Sequence, residues 1–110
     1  VRQDVDAIVA LNETSTVGVG RAIADLGRAG SVTVVGFDAS TEEVSLLEQG
    51  VVQALIVQKP FNMGYLSLRT IADLIRGNAV AGRIDTGSEV VTVENMYDEE
   101  IQQLIFPLVR

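Results

Sequence analysis

The sequence predicts an α/β fold in which a parallel sheet lies within three layers, in the element order β-α-β-α-β-α-β. Short apolar, largely β-branched runs have the length and composition of strands that are buried on both faces. Helix-like segments with capping residues separate these runs, and this alternation is typical of right-handed parallel units. The 110 residues suffice for one domain, and the core is expected to be aliphatic because 47% of them are hydrophobic but only 5% aromatic.

The first strand is predicted over residues 5–11 and the second over residues 32–37. Between them, the polar group from Asn12 to Ser15 can cap a helix that reaches about Gly27. Glycine suits the end of this helix because it adopts the left-handed conformation without strain. The apolar contacts of the helix are expected from Val17, Ile23, Ala24 and Leu26.

The second helix is predicted to begin after Ser40 or Thr41, with residues 42–43 as glutamates in its first turn. Acidic residues are favourable there because the helix dipole is positive at that end. Gly50 ends the helix, and the third strand follows over residues 52–57. The inward-facing residues of this helix are expected to be Val44, Leu46 and Leu47.

A third helix is predicted from Pro60 to about Arg76, because proline suits the first turn of a helix. A turn-rich stretch over 77–88 then leads to a fourth strand at 89–93, and the tail at 97–110 is expected to form one more short helix. The residues that the third helix is expected to bury are Met63, Leu66, Leu68, Ile71, Leu74 and Ile75.

Composition excludes several classes of function. The formal net charge is −7, and the eight basic residues are scattered singly, so the chain lacks the basic stripe that nucleic acid requires. It contains no Cys and no His, which argues against disulfides, thiolate catalysis and zinc. No metal and no cofactor are expected. The acidic cluster at 98–100 has no partner carboxylates at metal-binding spacing. No nucleophile and base pair is visible, so an enzyme is not expected.

Two motifs resemble known sites, a nucleotide-binding glycine motif and a phospho-acceptor aspartate, but each lacks other residues that such a site needs. Gly18 and Gly20 would need a third glycine where Ile23 stands, and they lie inside the helix, so close helix packing explains them better. Asp38 could pass for the phospho-acceptor of a receiver domain. That site also needs two carboxylates after the first strand, where this chain has only the pair Asn12-Glu13.

Three planar polar side chains follow the first three strands, at the point where each strand ends. They are Asn12, Asp38 and Gln58. In an open α/β sheet the carboxyl ends of parallel strands form the rim where ligands bind. Local capping explains Asn12 and Asp38 in part, whereas Gln58 is a poor turn former and follows four apolar residues. Two amides and a carboxylate at one rim indicate a site for a small molecule rich in hydroxyl groups.

Four segments resemble the carboxyl-terminal half of type I periplasmic sugar-binding proteins, especially the ribose-binding branch of sugar ABC transporters. The resemblance covers nearly the whole chain and keeps the order and spacing of the motifs. The segments are Asp4-Val5-Asp6-Ala7-Ile8-Val9-Ala10-Leu11-Asn12-Glu13, Val34-Val35-Gly36-Phe37-Asp38, Gln58-Lys59-Pro60 with Met63-Gly64, and Val90-Val91-Thr92-Val93-Glu94-Asn95.

The resemblance implies a role for each strand-end residue. Asn12 matches an asparagine that bonds sugar hydroxyls, Asp38 an aspartate that accepts bonds from them, and Gln58 a glutamine that completes this half of the site. Glu13 stands where the family usually has aspartate, so it is a possible secondary contact. An ionised Asp38 would form charge-assisted hydrogen bonds, and the two amides can both donate and accept.

The resemblance also implies that residues 1–110 form part of the C-terminal lobe of a two-lobed protein. Hinge or crossing segments are expected near 58–60 and 89–95, and the implied partners are a sugar, the N-terminal lobe and the subunits of an ABC permease. The implied location is extracytoplasmic, either periplasmic or lipid-anchored on the outer face of the membrane. Because the strands that begin this lobe are missing, the chain is expected to self-associate through an open sheet edge.

Two other functions share this fold. One is the effector-binding domain of a lactose-repressor-type transcription regulator, and the other is the sugar-sensing domain of a two-component receptor. The chain reads Gly50-Val51-Val52-Gln53-Ala54-Leu55 where repressors of this type usually carry a Pro-Leu-Thr-Thr-like stretch. This segment favours the transport protein, and the sequence does not identify its sugar.

Overall fold

The computed structural model describes residues 4–107 of the chain, which form four strands and four helices within that range. Four strands form where four are predicted, but their bounds differ: each is shorter than predicted, the third extends to Gln58 and the fourth begins at Ser88. The tail forms a helix of seven residues. Residues 108–110 of the predicted tail helix lie outside the described residues. In chain order the elements are β1 Ala7–Val9, α1 Glu13–Asp25, β2 Thr33–Phe37, α2 Thr41–Glu48, β3 Ala54–Gln58, α3 Pro60–Ile75, β4 Ser88–Val91 and α4 Glu99–Ile105.

The four strands form one sheet in the order β1-β2-β3-β4. β1 pairs with β2 in parallel, with Val9 opposite Val35, and β2 pairs with β3 in parallel, with Phe37 opposite Ile56. A parallel pair needs a crossover, which α1 and α2 supply. The predicted α/β architecture with parallel strands is therefore confirmed.

Helix ends follow the predicted capping chemistry. Asn12 is the N-cap of α1, and Ser40 and Glu43 form a capping box at the start of α2. In that box the side chain of each residue accepts a hydrogen bond from the backbone N–H of the other. Gly27 and Gly50 lie just beyond the two helices with φ of 63° and 71°, which is the left-handed conformation of a helix C-terminus.

The core is aliphatic, as the composition predicts. Its most deeply buried residues include Leu47 and Leu55, each with no exposed surface. Val44, Leu46 and Leu47 of α2 face inward as expected. Ala24 of α1 and its C-cap Leu26 are exposed, so the expected apolar contacts of these two residues are wrong. The full core cluster comprises Ile23, Val32, Val34, Val44, Leu46, Leu47, Val51, Val52, Leu55, Val57, Val91, Met96, Ile101 and Ile105.

The two glycines inside α1 have different environments. A Cβ atom at Gly20 would lie 2.6 Å from Cδ1 of Leu46, so this glycine lets α1 approach α2 closely. A Cβ atom at Gly18 would meet no atom within 4 Å. The helix-packing interpretation therefore holds for Gly20, whereas at Gly18 the structure gives no packing reason for glycine.

The chain divides into two compact units, residues 1–57 with 90–110 and residues 58–89. The second unit contains α3, whose apolar side chains are not buried: Leu68 is 71% and Ile75 81% exposed. The expectation that α3 buries six apolar residues is therefore wrong for this chain. A helical apolar stripe predicts that a helix needs a partner, but it does not say whether the same chain supplies that partner. None of the helices among residues 4–107 is long and apolar enough to cross a membrane.

β1 lies at the edge of the sheet, and its outward hydrogen-bonding groups can be identified. The C=O of Asp6 accepts from Thr33 and the N–H of Ala10 donates to Val35, so the alternate residues 6, 8 and 10 face β2. Residues 7 and 9 therefore point their backbone groups away from the sheet. Val9 is also 63% exposed, so this edge presents apolar surface beside unpaired backbone groups.

We expect the isolated chain to self-associate through this edge, and Ala7→Pro to reduce the association. Proline removes an outward N–H without disturbing the bonds to β2. Light scattering at increasing concentration measures the effect, with Ala81→Pro in the stretch between α3 and β4 as the control. A monomeric wild-type chain at high concentration contradicts the prediction. Association that Ala7→Pro leaves unchanged would point to another surface, such as the exposed face of α3.

Candidate ligand-binding site

Asn12 follows β1 and caps α1 with its side-chain oxygen. Its Oδ1 accepts hydrogen bonds from the backbone N–H of Ser15 at 2.9 Å and from the Ser15 hydroxyl at 2.8 Å. These bonds fix the orientation of the amide group. Among the described residues the Nδ2 group of Asn12 has no acceptor, and the residue is exposed. Asn12 can therefore offer a pair of hydrogen-bond donors to a ligand while it caps the helix.

Asp38 follows β2 and has an unusual backbone conformation. Its φ is +80°, and it is the sole non-glycine residue with positive φ among residues 4–107. Such a conformation costs about 1–3 kcal/mol and persists where the surroundings enforce it, commonly at functional sites. The Asp38 carboxylate is partly buried, and no described residue donates a hydrogen bond or forms an ion pair with it. A partly buried carboxylate without a protein partner is suited to accept bonds from a ligand.

Thr16 joins the chain segments that carry these two residues. Its side chain is fully buried, and its hydroxyl donates to the backbone oxygen of Asn12 at 2.8 Å. The Oγ1 atom of that Thr16 hydroxyl accepts a hydrogen bond from the backbone N–H of Phe37 at 3.1 Å. The carboxyl ends of β1 and β2 are therefore connected through one buried side chain.

Glu43 lies beside Thr16 and is also fully buried. Its Oε2 accepts from the backbone N–H of Ser40 at 2.7 Å, whereas Oε1 has no hydrogen-bond partner among the described residues. Burial raises the pKa of Glu43, and the nearby charge of Glu13 raises it further. Hydrogen bonding from Ser40 and the proximity of the Thr16 hydroxyl act in the opposite direction on this pKa.

Gln58 is the last residue of β3 and the first residue of the second unit. It is exposed at the carboxyl end of its strand. The next residue, Lys59, forms an ion pair with Glu89 of β4 at 2.5 Å, and its aliphatic chain lies against Gly87. Both ends of the second unit are therefore joined by an ion pair, and Gln58 directly precedes it.

The described residues provide hydrogen-bonding groups rather than reactive ones. Asn12 offers an amide donor and Asp38 a carboxylate, and within residues 4–107 no group of three or more acidic, His or Cys side chains could hold a metal ion. Glu13, the possible secondary contact, is an exposed residue in the first turn of α1. This chemistry suits the recognition of a neutral, hydroxyl-rich molecule.

The structure places all three predicted residues at the carboxyl ends of consecutive strands, as the sequence predicts. Asn12 and Asp38 belong to the first unit and are connected through Thr16, and Gln58 belongs to the second. Their contact with a ligand stays a prediction. Sequence reasoning missed Thr16 and treated Glu43 only as a helix-start residue. The Ser-x-x-Glu spacing that signals a capping box points to Glu43.

Comparison with known proteins agrees with this geometry. Residues 1–79 match the family model described as the periplasmic binding protein domain. The chain is 32% identical over 77 residues to the D-allose-binding periplasmic protein of Escherichia coli (strain K12), a match that covers 70% of the chain and 25% of that protein. It is 30% identical over 89 residues to the ribose import binding protein RbsB of Haemophilus influenzae (strain ATCC 51907 / DSM 11121 / KW20 / Rd), covering 81% of the chain and 30% of that protein.

Solved structures give the same result. A carbohydrate transporter solute binding protein from Agrobacterium radiobacter, in complex with D-arabinose, superimposes with a TM-score of 0.80 at 36% identity. The match covers 90% of this chain and 34% of that chain. The chain thus spans about a quarter to a third of the length of these relatives. These matches confirm the resemblance to type I periplasmic sugar-binding proteins seen in the strand-end motifs. The chain belongs to the family described as the periplasmic binding protein domain.

Proposed function

We propose that this chain is the carboxyl-terminal part of a substrate-binding component of a carbohydrate ABC transporter. Such a protein closes two lobes around one small sugar and delivers it to a membrane permease on the outer side of the membrane. The single observation that carries the proposal is Asp38, a carboxylate without a described protein partner in a conformation that costs folding free energy. Relatives named for D-allose and ribose support a monosaccharide as the ligand class.

In this proposal Asn12, Asp38 and Gln58 form one half of the sugar site. Asp38 accepts from sugar hydroxyls, the Nδ2 group of Asn12 donates to a sugar oxygen, and Gln58 can do both. Glu13 is a secondary contact. The other half belongs to the N-terminal lobe, so the isolated chain is expected to bind sugar weakly or not at all.

Hinges near residues 58–60 and 89–95 complete the proposal. The boundaries between the two compact units fall after Val57 and after Glu89, which supports pivots at these segments. The exposed apolar face of α3 also supports a crossing of the second unit to the opposite lobe, because that lobe would bury it. The Lys59–Glu89 ion pair would keep the two crossing segments together during closure.

A thermal-shift panel of monosaccharides and disaccharides on the complete two-lobe protein tests this function. We expect at least one monosaccharide to raise the melting temperature by several degrees, because a ligand at 100 times its Kd adds about 2.7 kcal/mol of stability. Calorimetry on that sugar then gives the stoichiometry, which should be one site per chain. No stabilisation by any sugar contradicts the proposal.

The complete gene distinguishes the two alternatives. A helix-turn-helix segment before the sugar-binding lobes would make the protein a lactose-repressor-type regulator, and a sensor module of a two-component system would make it a receptor. A signal peptide or lipid-anchoring cysteine without either module supports the transport protein and its extracytoplasmic location.

A further inference from the structure

The backbone around Asp38 is fixed by three hydrogen bonds from three different elements. The N–H of Phe37 donates to the Thr16 hydroxyl of α1 at 3.1 Å, and the N–H of Asp38 itself donates to the Ile56 oxygen of β3 at 3.0 Å. Two residues later, the N–H of Ser40 donates to Glu43 of α2 at 2.7 Å. A residue held at positive φ needs such surroundings, because its own preference is for negative φ.

Thr16 supplies more than one of the contacts around the site. A hydroxyl carries one proton and two acceptor positions, and here the proton is directed to the Asn12 oxygen while the Phe37 N–H occupies one acceptor position. The Thr16 hydroxyl also acts on the pKa of Glu43, so these two buried side chains are neighbours. Asn12 follows β1 and Phe37 ends β2, so Thr16 contacts both segments that carry these two candidate ligand residues.

Glu43 completes this buried arrangement. Its Oε1 is buried without a described partner, and the proton of the Thr16 hydroxyl is already committed to Asn12. A protonated Glu43 carboxyl can donate to Thr16 instead, which would satisfy both groups. Burial raises the pKa of Glu43 and the charge of Glu13 raises it further, so its environment disfavours the charged carboxylate.

We infer that Thr16 and Glu43 are positioning residues of the proposed sugar site, and that their buried side chains set the backbone at Asn12 and Asp38 without touching the ligand. The inference rests on the proposed function and adds two residues to it. The capping box with Ser40 uses only one carboxylate oxygen of Glu43. The other oxygen, buried without a described partner, is costly compared with an apolar side chain and is not explained by capping alone.

Comparing the sugar affinities of variants that lose similar amounts of stability distinguishes a positioning role from a purely structural one. In the complete two-lobe protein, Thr16→Val removes the hydroxyl at nearly constant volume and should weaken sugar binding about tenfold, whereas Thr16→Ser, which keeps the hydroxyl, should bind nearly as the wild type. Ile23→Val, which removes a buried methylene from the same helix, is the control. It should lower the melting temperature and leave affinity unchanged. Calorimetry and thermal unfolding supply the two readouts.

Glu43 is tested by its pH dependence. A carboxyl whose folded pKa lies above its unfolded value of about 4.3 binds more protons in the folded state, so the free energy of unfolding falls as pH rises from about 4.3 through the folded pKa. Glu43→Gln should flatten that fall and keep wild-type affinity, because the amide still accepts from Ser40 and can donate to Thr16. Glu43→Met should lose affinity about tenfold, because it offers neither bond.

The outcomes distinguish this inference from the proposed function. If the wild-type protein binds no sugar, the proposed function fails and this inference fails with it. If the wild type binds but Thr16→Val and Ile23→Val have equal affinities, the proposed function stands and the positioning role of Thr16 is wrong. A pH profile of unfolding that Glu43→Gln leaves unchanged would overturn the role given to Glu43.

Discussion

Replacing Gly36 with alanine is expected to lower the free energy of unfolding by about 3 kcal/mol, as overpacking of a rigid core site does. A Cβ atom at this position would lie 2.2 Å from Cγ2 of Thr16 and 2.8 Å from Cδ2 of Leu55. The end of a leucine side chain can move aside, but Thr16 is β-branched and fixed by its hydrogen bonds. Urea unfolding of the complete protein measures the loss through the shift of the midpoint.

A second substitution identifies the clashing atom. Thr16→Ser removes Cγ2 and retains the hydroxyl, so the double variant Gly36→Ala/Thr16→Ser should recover part of the stability that Gly36→Ala loses. The coupling between the two sites is the effect of the double variant minus the effects of Gly36→Ala and of Thr16→Ser alone, and contacting residues give about 0.5–3 kcal/mol. Gly18→Ala is the matched control, because a Cβ atom there meets nothing within 4 Å and alanine favours the helix. Strictly additive effects at positions 36 and 16 would contradict the expected clash.

The regular parts of this fold are predictable because their signals are local. Apolar β-branched runs, the Asn12 cap and the Ser40–Glu43 box depend on residues within a few positions of one another. The trio of strand-end residues was also predictable, because topology alone places the carboxyl ends of parallel strands at one rim. The predicted strand ends were less accurate, since fraying and pairing partners decide them.

Other features depend on contacts that are distant in sequence. Thr16 and Phe37 are 21 residues apart, so no local pattern shows that the hydroxyl braces the Asp38 segment. The left-handed conformation of Asp38 likewise results from bonds to three other elements. The burial of α3 was predicted wrongly. A hydrophobic stripe shows that a helix packs against a partner, but it does not show that this chain contains the partner. Tertiary context outside a segment decides each of these cases.

Replacing Asp38 with glycine is expected to keep or raise the free energy of unfolding and to weaken sugar binding. Glycine adopts a φ of +80° without strain, so Asp38→Gly should keep or raise the free energy of unfolding. The lost carboxylate should cost about 1.5–3 kcal/mol of binding, which is the range for hydrogen bonds to a charged group. That cost corresponds to about a 10- to 150-fold weaker Kd, measured by calorimetry on the complete two-lobe protein.

Asp38→Ala provides the comparison, because alanine removes the carboxylate but tolerates positive φ less well than aspartate does. It should lose about as much affinity as Asp38→Gly and also some stability, so the two variants separate the backbone effect from the chemical one. Asp25→Ala, at the exposed end of α1, should change neither. Unchanged affinity in both variants would remove Asp38 from the site. If Asp38→Gly instead raises the free energy of unfolding and weakens sugar binding, the protein keeps a strained aspartate at position 38 because the ligand needs its carboxylate.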